Sequence, residues 1–213
     1  MALLPITLDL AGRLCVVVGG GEVAGRKVRD ALAAGGRARV VSPETVPELD
    51  ALAAEGRIEL RRARFSPECL KGAALAFVAT DDEAVNEAAA RAAKEAGIWV
   101  NVADRPALCD FHVPATVRRG DLLIAVSTSG KSPALAARVR RALEREFGPE
   151  YERLIAVLGE LRETVARRAG LSQKERHAIY ERVLDSDVLL FLKQGRGEDA
   201  ARLARAIAEG EIG

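Results

Sequence analysis

The sequence predicts an α/β fold: a parallel sheet over the first half, then a small α+β segment, then an all-helical region. Three observations predict it. Short apolar strands alternate with Ala-rich helical stretches up to about residue 130, the β-α-β-α order of parallel sheets with right-handed crossovers. The first strand runs straight into a glycine triplet that opens a helix. From Glu150 onward every stretch reads as helix. Soft boundaries near residues 113 and 148 divide the chain into 1–113, 114–147 and 148–213.

Arg13–Val18 is a near-continuous apolar run and predicts a strand buried on both faces. Glu22–Ala34 predicts a helix, ended by Gly35-Gly36. Ala38–Val41 is a second strand, Val46–Ala54 a helix, and Ile58–Arg61 a weaker strand. Leu75–Ala79 is another buried strand, after which Thr80 and Glu83 form a capping box opening a helix to Ala96. Ile98–Val102 is the next strand. Phe111–Val117 and Leu122–Val126 flank the turn Arg118–Asp121 and predict a hairpin. Ser132 is a natural N-cap with Pro133 at the first helical position, for a helix to about Phe147. Tyr151–Ala169 predicts a helix with Gly170 after it. Ser172 and Glu175 make a second capping box for a helix to about Leu184, and Glu198–Glu209 is a last helix.

Composition excludes several classes. The 213 residues carry 32 Lys+Arg against 31 Asp+Glu, a net charge of +1, and 49% are hydrophobic. A sizeable core is available and global disorder is excluded. The charge balance argues against nucleic acid and membrane surfaces as partners, and 4% aromatic residues argue against base stacking. No run approaches the ~18 apolar residues of a membrane span, and Met1–Pro5 lacks the start of a signal peptide. Cys15, Cys69 and Cys109 lie far apart without a C-x-x-C pair, which predicts free thiols in a reducing, cytoplasmic setting. His112 and His177 make no metal cluster.

Val16–Ala24 is a strand, a glycine turn and a helix start, fitting G-x-G-x-x-A with Gly19, Gly21 and Ala24. This is the fingerprint of a Rossmann-like dinucleotide site: the first glycine permits the turn, the second lets a pyrophosphate approach, and Ala24 allows close packing. The helix N-terminus offers free N–H groups to the phosphates. The second strand ends at Ser42, where an NAD site often carries an acid. Glu44, two residues on, either turns back to the ribose or is a solvated loop charge. Arg37 and Arg39 leave NADP open.

Ligands of such sheets sit beyond the carboxyl ends of the strands. Thr80-Asp81-Asp82 and Asn101–Asp104 fall there. Asp104 is the candidate proton acceptor; its alternative use is as a turn-forming residue before Arg105-Pro106. Asp81 and Asp82 read better as helix caps. Ser127–Ser132 is a hydroxyl- and glycine-rich stretch leading into a helix N-terminus, a cradle for anions. Arg138, Arg141 and Arg145 follow on one helix face, either as a solvated stripe or as a dock for a carboxylate-rich substrate.

These stretches in this order, Leu4-Pro5, Val18–Ala24, Ala79–Asp82, Asn101–Asp104 and Ser127–Ala134, resemble the dehydrogenase/chelatase module of siroheme synthases, over residues 1–147 closely and the tail in outline. The resemblance implies NAD-dependent oxidation of precorrin-2 to sirohydrochlorin, with ferrous iron insertion to siroheme as a second activity. It implies that Asp104 serves both steps. NAD contacts then fall on Gly19, Gly21, Glu22, Val23, Pro43, Glu44 and Thr80, and substrate contacts on Asn101, Ser127, Thr128, Ser129, Lys131 and Arg138. It implies a homodimer through about 114–147, so that this segment is a dimerisation segment. The chain ends at Gly213 without the methyltransferase domain of trifunctional relatives, so precorrin-2 is expected from another protein. Members of this family differ in whether they chelate; here one carboxylate and the macrocycle's own nitrogens would have to serve. The alternative is a Rossmann regulatory module that senses NAD(H) without turnover.

Overall fold

A computed structural model describes residues 3–168 and 170–212. The chain forms two compact units, Met1–Val113 and Pro114–Gly213. The residues expected as a dimerisation segment and a helical domain thus belong to one unit.

The first unit is built from β1 (Leu14–Val18), α1 (Glu22–Ala33), β2 (Arg37–Val41), α2 (Pro47–Ala54), β3 (Ile58–Arg61), β4 (Ala73–Val78), α3 (Glu83–Glu95) and β5 (Trp99–Val102). The strands make one parallel sheet in the order β3-β2-β1-β4-β5. Every residue of the central β1 is buried, which is why its sequence is a continuous apolar run rather than an alternating one. Cys15 and Val17 face the helices α1 and α2, against Ala24, Val28 and Leu49. Val16 and Val18 face α3, against Ala89, Ala90 and Ala93. The Ala-rich helix faces let the helices lie close to the sheet, and each buried valine contributes about 1.5–3 kcal/mol of transfer free energy. Between β3 and β4 the crossover is a 3₁₀ turn, Pro67–Leu70, whose Cys69 and Leu70 are buried.

The register carries the functional consequence. Val41, Val18, Val78 and Val102 lie in one row across β2, β1, β4 and β5. All four strands therefore release their chains into loops at one sheet edge.

In the second unit, β6 (Ala115–Arg119) and β7 (Leu122–Val126) form an antiparallel hairpin closed by Gly120-Asp121. It is followed by α4 (Pro133–Glu146), α5 (Glu150–Arg167), α6 (Gln173–Asp185), α7 (Val188–Lys193) and α8 (Gly197–Glu209). Arg119 ties the hairpin to the end of α4, donating to the carbonyls of Phe147 at 2.9 Å and Glu144 at 3.1 Å. Leu154, Leu161, Val165, Val183, Val188 and Ile207 bury a separate helical core.

The elements depart from expectation in two places. Residues 111–113 are not strand, because Phe111 is drawn back onto the first sheet. Asp82, not Thr80, caps α3, accepting from the Val85 N–H at 3.1 Å; the Thr80 hydroxyl is instead bonded to Asn86 Oδ1 at 2.8 Å. The short α7 falls in the region read as helical, without bounds of its own. Ala169, the expected last residue of α5, lies outside the described residues, as do Met1, Ala2 and Gly213.

Candidate active site

The glycine triplet shows three different reasons for glycine. Gly19 has φ +119°, and a Cβ there would overlap the Ala79 carbonyl oxygen. A Cβ at Gly20 would overlap the Glu44 carbonyl oxygen. At Gly21 a Cβ would meet nothing within 4 Å, so its small size serves open space rather than packing. Gly21 is also the N-cap of α1 and supplies no side-chain cap. The first intrahelical bond runs from the Gly25 N–H to the Gly21 carbonyl at 3.0 Å. The amides of Glu22, Val23 and Ala24 thus lie before any intrahelical acceptor, at the positive end of the helix. An open cradle lined by free amides fits a pyrophosphate. Ala24 is buried against the sheet, as the third position of the fingerprint requires, and Gly25 is buried beside Glu48.

The turn after β2 is held against this cradle. The Val46 N–H donates to the Gly20 carbonyl at 2.8 Å. Ser42 is buried, and its hydroxyl donates to the Glu44 carbonyl at 2.6 Å. Ser42 therefore builds the turn and leaves Pro43 and Glu44 exposed beside the glycines. The two arginines of β2 point away from a 2′-phosphate role. Arg37 opens the strand, about 13 Å from Val41 at ~3.3 Å per residue. Arg39 donates to Glu59 at 2.8 Å and to the Cys69 and Lys71 carbonyls at 3.0 Å each. Burial pushes the Glu59 carboxyl up, but hydrogen bonds from Arg39 and Arg61 outweigh it and hold the group below its ordinary range.

At the end of β4, Thr80 and Asn86 lock the loop into α3: the Asn86 amide donates back to the Thr80 carbonyl at 2.9 Å. At the end of β5, the Ala103 N–H donates to the Val78 carbonyl at 2.9 Å and extends the ladder by one residue. Asp104 then turns into the left-handed region, φ +56°, with its side chain exposed. Such a conformation is uphill for a residue with a Cβ, least so for Asp and Asn. The ends of β1 and β5 are two strands apart, about 10 Å, so Asp104 and the glycine cradle share one edge at a separation that a dinucleotide spans.

Asn101 is placed differently from a solvent-facing ligand contact. It is 8% exposed, and its amide nitrogen donates to the Phe111 carbonyl at 2.9 Å. Phe111 in turn stands edge-on to Phe77, centroids 5.6 Å apart, and Lys27 lies over Phe77 at 5.6 Å. Burial lowers the Lys27 amine from its ordinary range. The outer side of β5, an edge strand, is closed by the next segment. The Val100 N–H donates to Asp110 Oδ2 at 3.0 Å, and the Asp110 N–H returns to the Val100 carbonyl at 2.8 Å. Cys109 does the same for Val102 through its sulfur. In sequence Cys109 reads only as a free thiol and Asp110 carries no signal; their partners lie seven to ten residues away, and no local pattern marks them.

In the second unit, the serine-rich loop divides its hydroxyls. Thr128 Oγ1 accepts from the Ser132 N–H and donates to the Ser132 carbonyl, both at 3.1 Å. Ser132 caps α4 through the Leu135 N–H at 3.2 Å. Those two hydroxyls build the loop. Ser127 Oγ accepts from the Ser129 N–H at 3.1 Å, and Ser129 has φ +52°. Ser127, Ser129 and Lys131 are exposed, as are Arg138, Arg141 and Arg145 on α4. Among the described residues, none of these three arginines enters an ion pair, and no group of three or more His, Cys, Asp or Glu could hold a metal ion.

A family model for NAD(P)-binding domains matches residues 6–115, and a second, for the central part of sirohaem biosynthesis proteins, matches residues 119–146. The chain belongs to the family of putative NAD(P)-binding domains that the first model describes. Siroheme synthase of Methylobacillus flagellatus is 44% identical over 207 residues, 96% of this chain and 43% of that protein. Siroheme synthase of Methylococcus capsulatus is 41% identical over 209 residues, 98% of this chain and 44% of that protein. The chain thus spans under half the length of these curated relatives. The solved structure of SirC, precorrin-2 dehydrogenase, superposes with a TM-score of 0.75 at 28% identity, covering 95% of this chain and 99% of that one. No helix among the described residues is long and apolar enough to cross a membrane.

Proposed function

We propose that the chain oxidises precorrin-2 to sirohydrochlorin with NAD⁺. The observation that carries the reading is the open, amide-lined cradle at Gly21 on the same strand-end row as the exposed carboxylate of Asp104. The sensor alternative would leave Asp104 only a turn-forming role.

Bound NAD⁺ supplies the hydride acceptor. The amides of Glu22 and Val23 hold its pyrophosphate, Gly19 shapes the turn, and Glu44 beside Pro43 takes the ribose hydroxyls. Glu44 and the commitment of Arg39 elsewhere favour NAD over NADP. Thr80 acts by bracing the strand end. The substrate loses a hydride and a proton; Asp104 accepts the proton, so that one NADH and one H⁺ form per sirohydrochlorin. Ser127, Ser129, Lys131 and Arg138 offer hydroxyls and positive charge to carboxylates, Thr128 shapes their loop, and Asn101 braces β5.

Ferrous iron insertion follows in the same proposal, with Asp104 taking up the protons that leave the macrocycle nitrogens. The active form is a cytoplasmic homodimer joined through residues 114–147. Anaerobic incubation with precorrin-2 and NAD⁺, followed by Fe²⁺, tests each part by absorbance. NADH and sirohydrochlorin in equal amounts, then siroheme faster than without protein, support both steps. Oxidation without accelerated metal insertion removes the chelatase; no oxidation by protein that binds NAD⁺ removes the proposal. Sedimentation at low micromolar concentration tests the dimer.

A further inference from the structure

Cys109 belongs to neither the cofactor set nor the substrate set, yet four polar groups converge on its sulfur. The Val102 N–H donates to it at 3.2 Å, and Asn101 Nδ2 stands at 3.6 Å. On the donor side, the Val102 and Arg105 carbonyls lie 3.3 and 3.4 Å away. Val102 and Arg105 bracket Asp104. The thiol therefore spans the base of the turn in which Asp104 holds φ +56°.

That conformation is uphill for a residue with a Cβ, though least so for Asp, so contacts around the turn help to hold it. The Arg105 N–H closes the turn on the Val102 carbonyl, but at a long 3.4 Å, and few other restraints are available. Arg105 pairs with Glu83 and Glu87 at the start of α3, but all three side chains are exposed, and such pairs contribute little. The Leu108 N–H closes on the Arg105 carbonyl at 3.0 Å, which fixes the loop downstream of Asp104 only. Cys109 is half-buried, packs against the α3 side of the sheet core, and reaches both sides of Asp104. A side chain that both accepts and donates satisfies both backbone groups of Val102 on this outer strand edge.

We propose that Cys109 is a positioning residue for Asp104: its thiol holds the turn that aims the carboxylate into the crevice. The proposal rests on the reading of Asp104 as the proton acceptor. A catalytic group displaced by about 1 Å loses up to ~10²-fold in rate.

The test is a mutant cycle in the dehydrogenase reaction, with precorrin-2 and NAD⁺ and the full chain. Cys109→Ala should lower kcat about 10- to 100-fold, with NADH affinity and the KM for NAD⁺ unchanged. Cys109→Ser, which keeps a donor and acceptor on a shorter bond, should recover part of the rate. In an Asp104→Ala background, Cys109→Ala should cost nothing further, because it acts only through Asp104. Melting temperature and NADH affinity establish folding; if Cys109→Ala does not fold, Cys109→Ser carries the cycle, with kcat lowered only where Asp104 is present. Wild-type kcat in Cys109→Ala beside a slow Asp104→Ala overturns the positioning role alone. Wild-type kcat in Asp104→Ala overturns the reading of Asp104 and this proposal with it. An equal loss in both backgrounds means that the sulfur serves the fold at large, and the proposal fails.

Discussion

A methyl group added at Gly21 meets no protein atom within 4 Å, whereas one added at Gly19 overlaps the Ala79 carbonyl and must sit at φ +119°. Replacing each glycine by alanine therefore separates cofactor binding from folding. Gly21 has φ −85° and ψ −172°, which alanine adopts freely. Its loss as an N-cap costs about 0.5–1 kcal/mol. For a chain of this size that lowers Tm by about 1–4 °C. The methyl group, however, occupies the space that a pyrophosphate needs to reach the amides of Glu22 and Val23. Losing two hydrogen bonds to a charged group, at about 1.5 kcal/mol each, costs about 3 kcal/mol, or about 10²-fold in Kd. Gly19→Ala reverses the pattern. The left-handed backbone costs about 1–3 kcal/mol and the overlap displaces the end of β4, so Tm falls by about 6–12 °C. The assays are thermal unfolding and NADH fluorescence titration on both variants. Gly21→Ala protein that binds NADH as tightly as wild type would refute the assignment of the cradle.

Three further outcomes follow from named contacts. Asp104→Asn, which tolerates the same left-handed backbone, should keep Tm and NADH affinity while lowering kcat by about 10²–10⁴, read from the initial rate of NADH formation. Arg119→Ala removes the donors that reach Phe147 and Glu144 and should lower Tm by about 2–8 °C, one to two hydrogen bonds at about 1 kcal/mol each. The Glu175 carboxyl is held below its ordinary range by the Ser172 hydroxyl and then by the Ser172 N–H. A depressed carboxyl adds stability above its unfolded pKa of about 4.3 and loses it as pH falls through the folded value. Glu175→Gln should therefore melt below wild type at pH 7, and the gap should close near pH 3.

What was legible in the sequence was local. The capping box Ser172/Glu175 and the pair Ser132-Pro133 act within three residues, and both stand as read. The strands β1 and β4 are near-continuous apolar runs, because both faces of the sheet are covered. Where two polar residues competed, the choice depended on something distant: Thr80 lost the cap to Asp82 because Asn86 engages its hydroxyl. Val188–Lys193 carries Val, Leu, Leu, Phe and Leu in succession, a run with no period, so the helical reading of this region sets no bounds there. Asn101 and Cys109 look like crevice and core residues in one dimension. Their partners, Phe111 and Val102, are fixed by the chain doubling back along the open edge of β5.

The most direct measurement is a single turnover: wild-type and Gly21→Ala proteins, each with equimolar precorrin-2 and NAD⁺ under anaerobic conditions, followed by absorbance. The account predicts equal yields of NADH and sirohydrochlorin from the wild type. It predicts almost none from the variant, with activity returning as NAD⁺ is raised about 10²-fold. A variant that turns over like wild type at equimolar NAD⁺, or a wild type that binds NAD⁺ and leaves precorrin-2 unchanged, would contradict it.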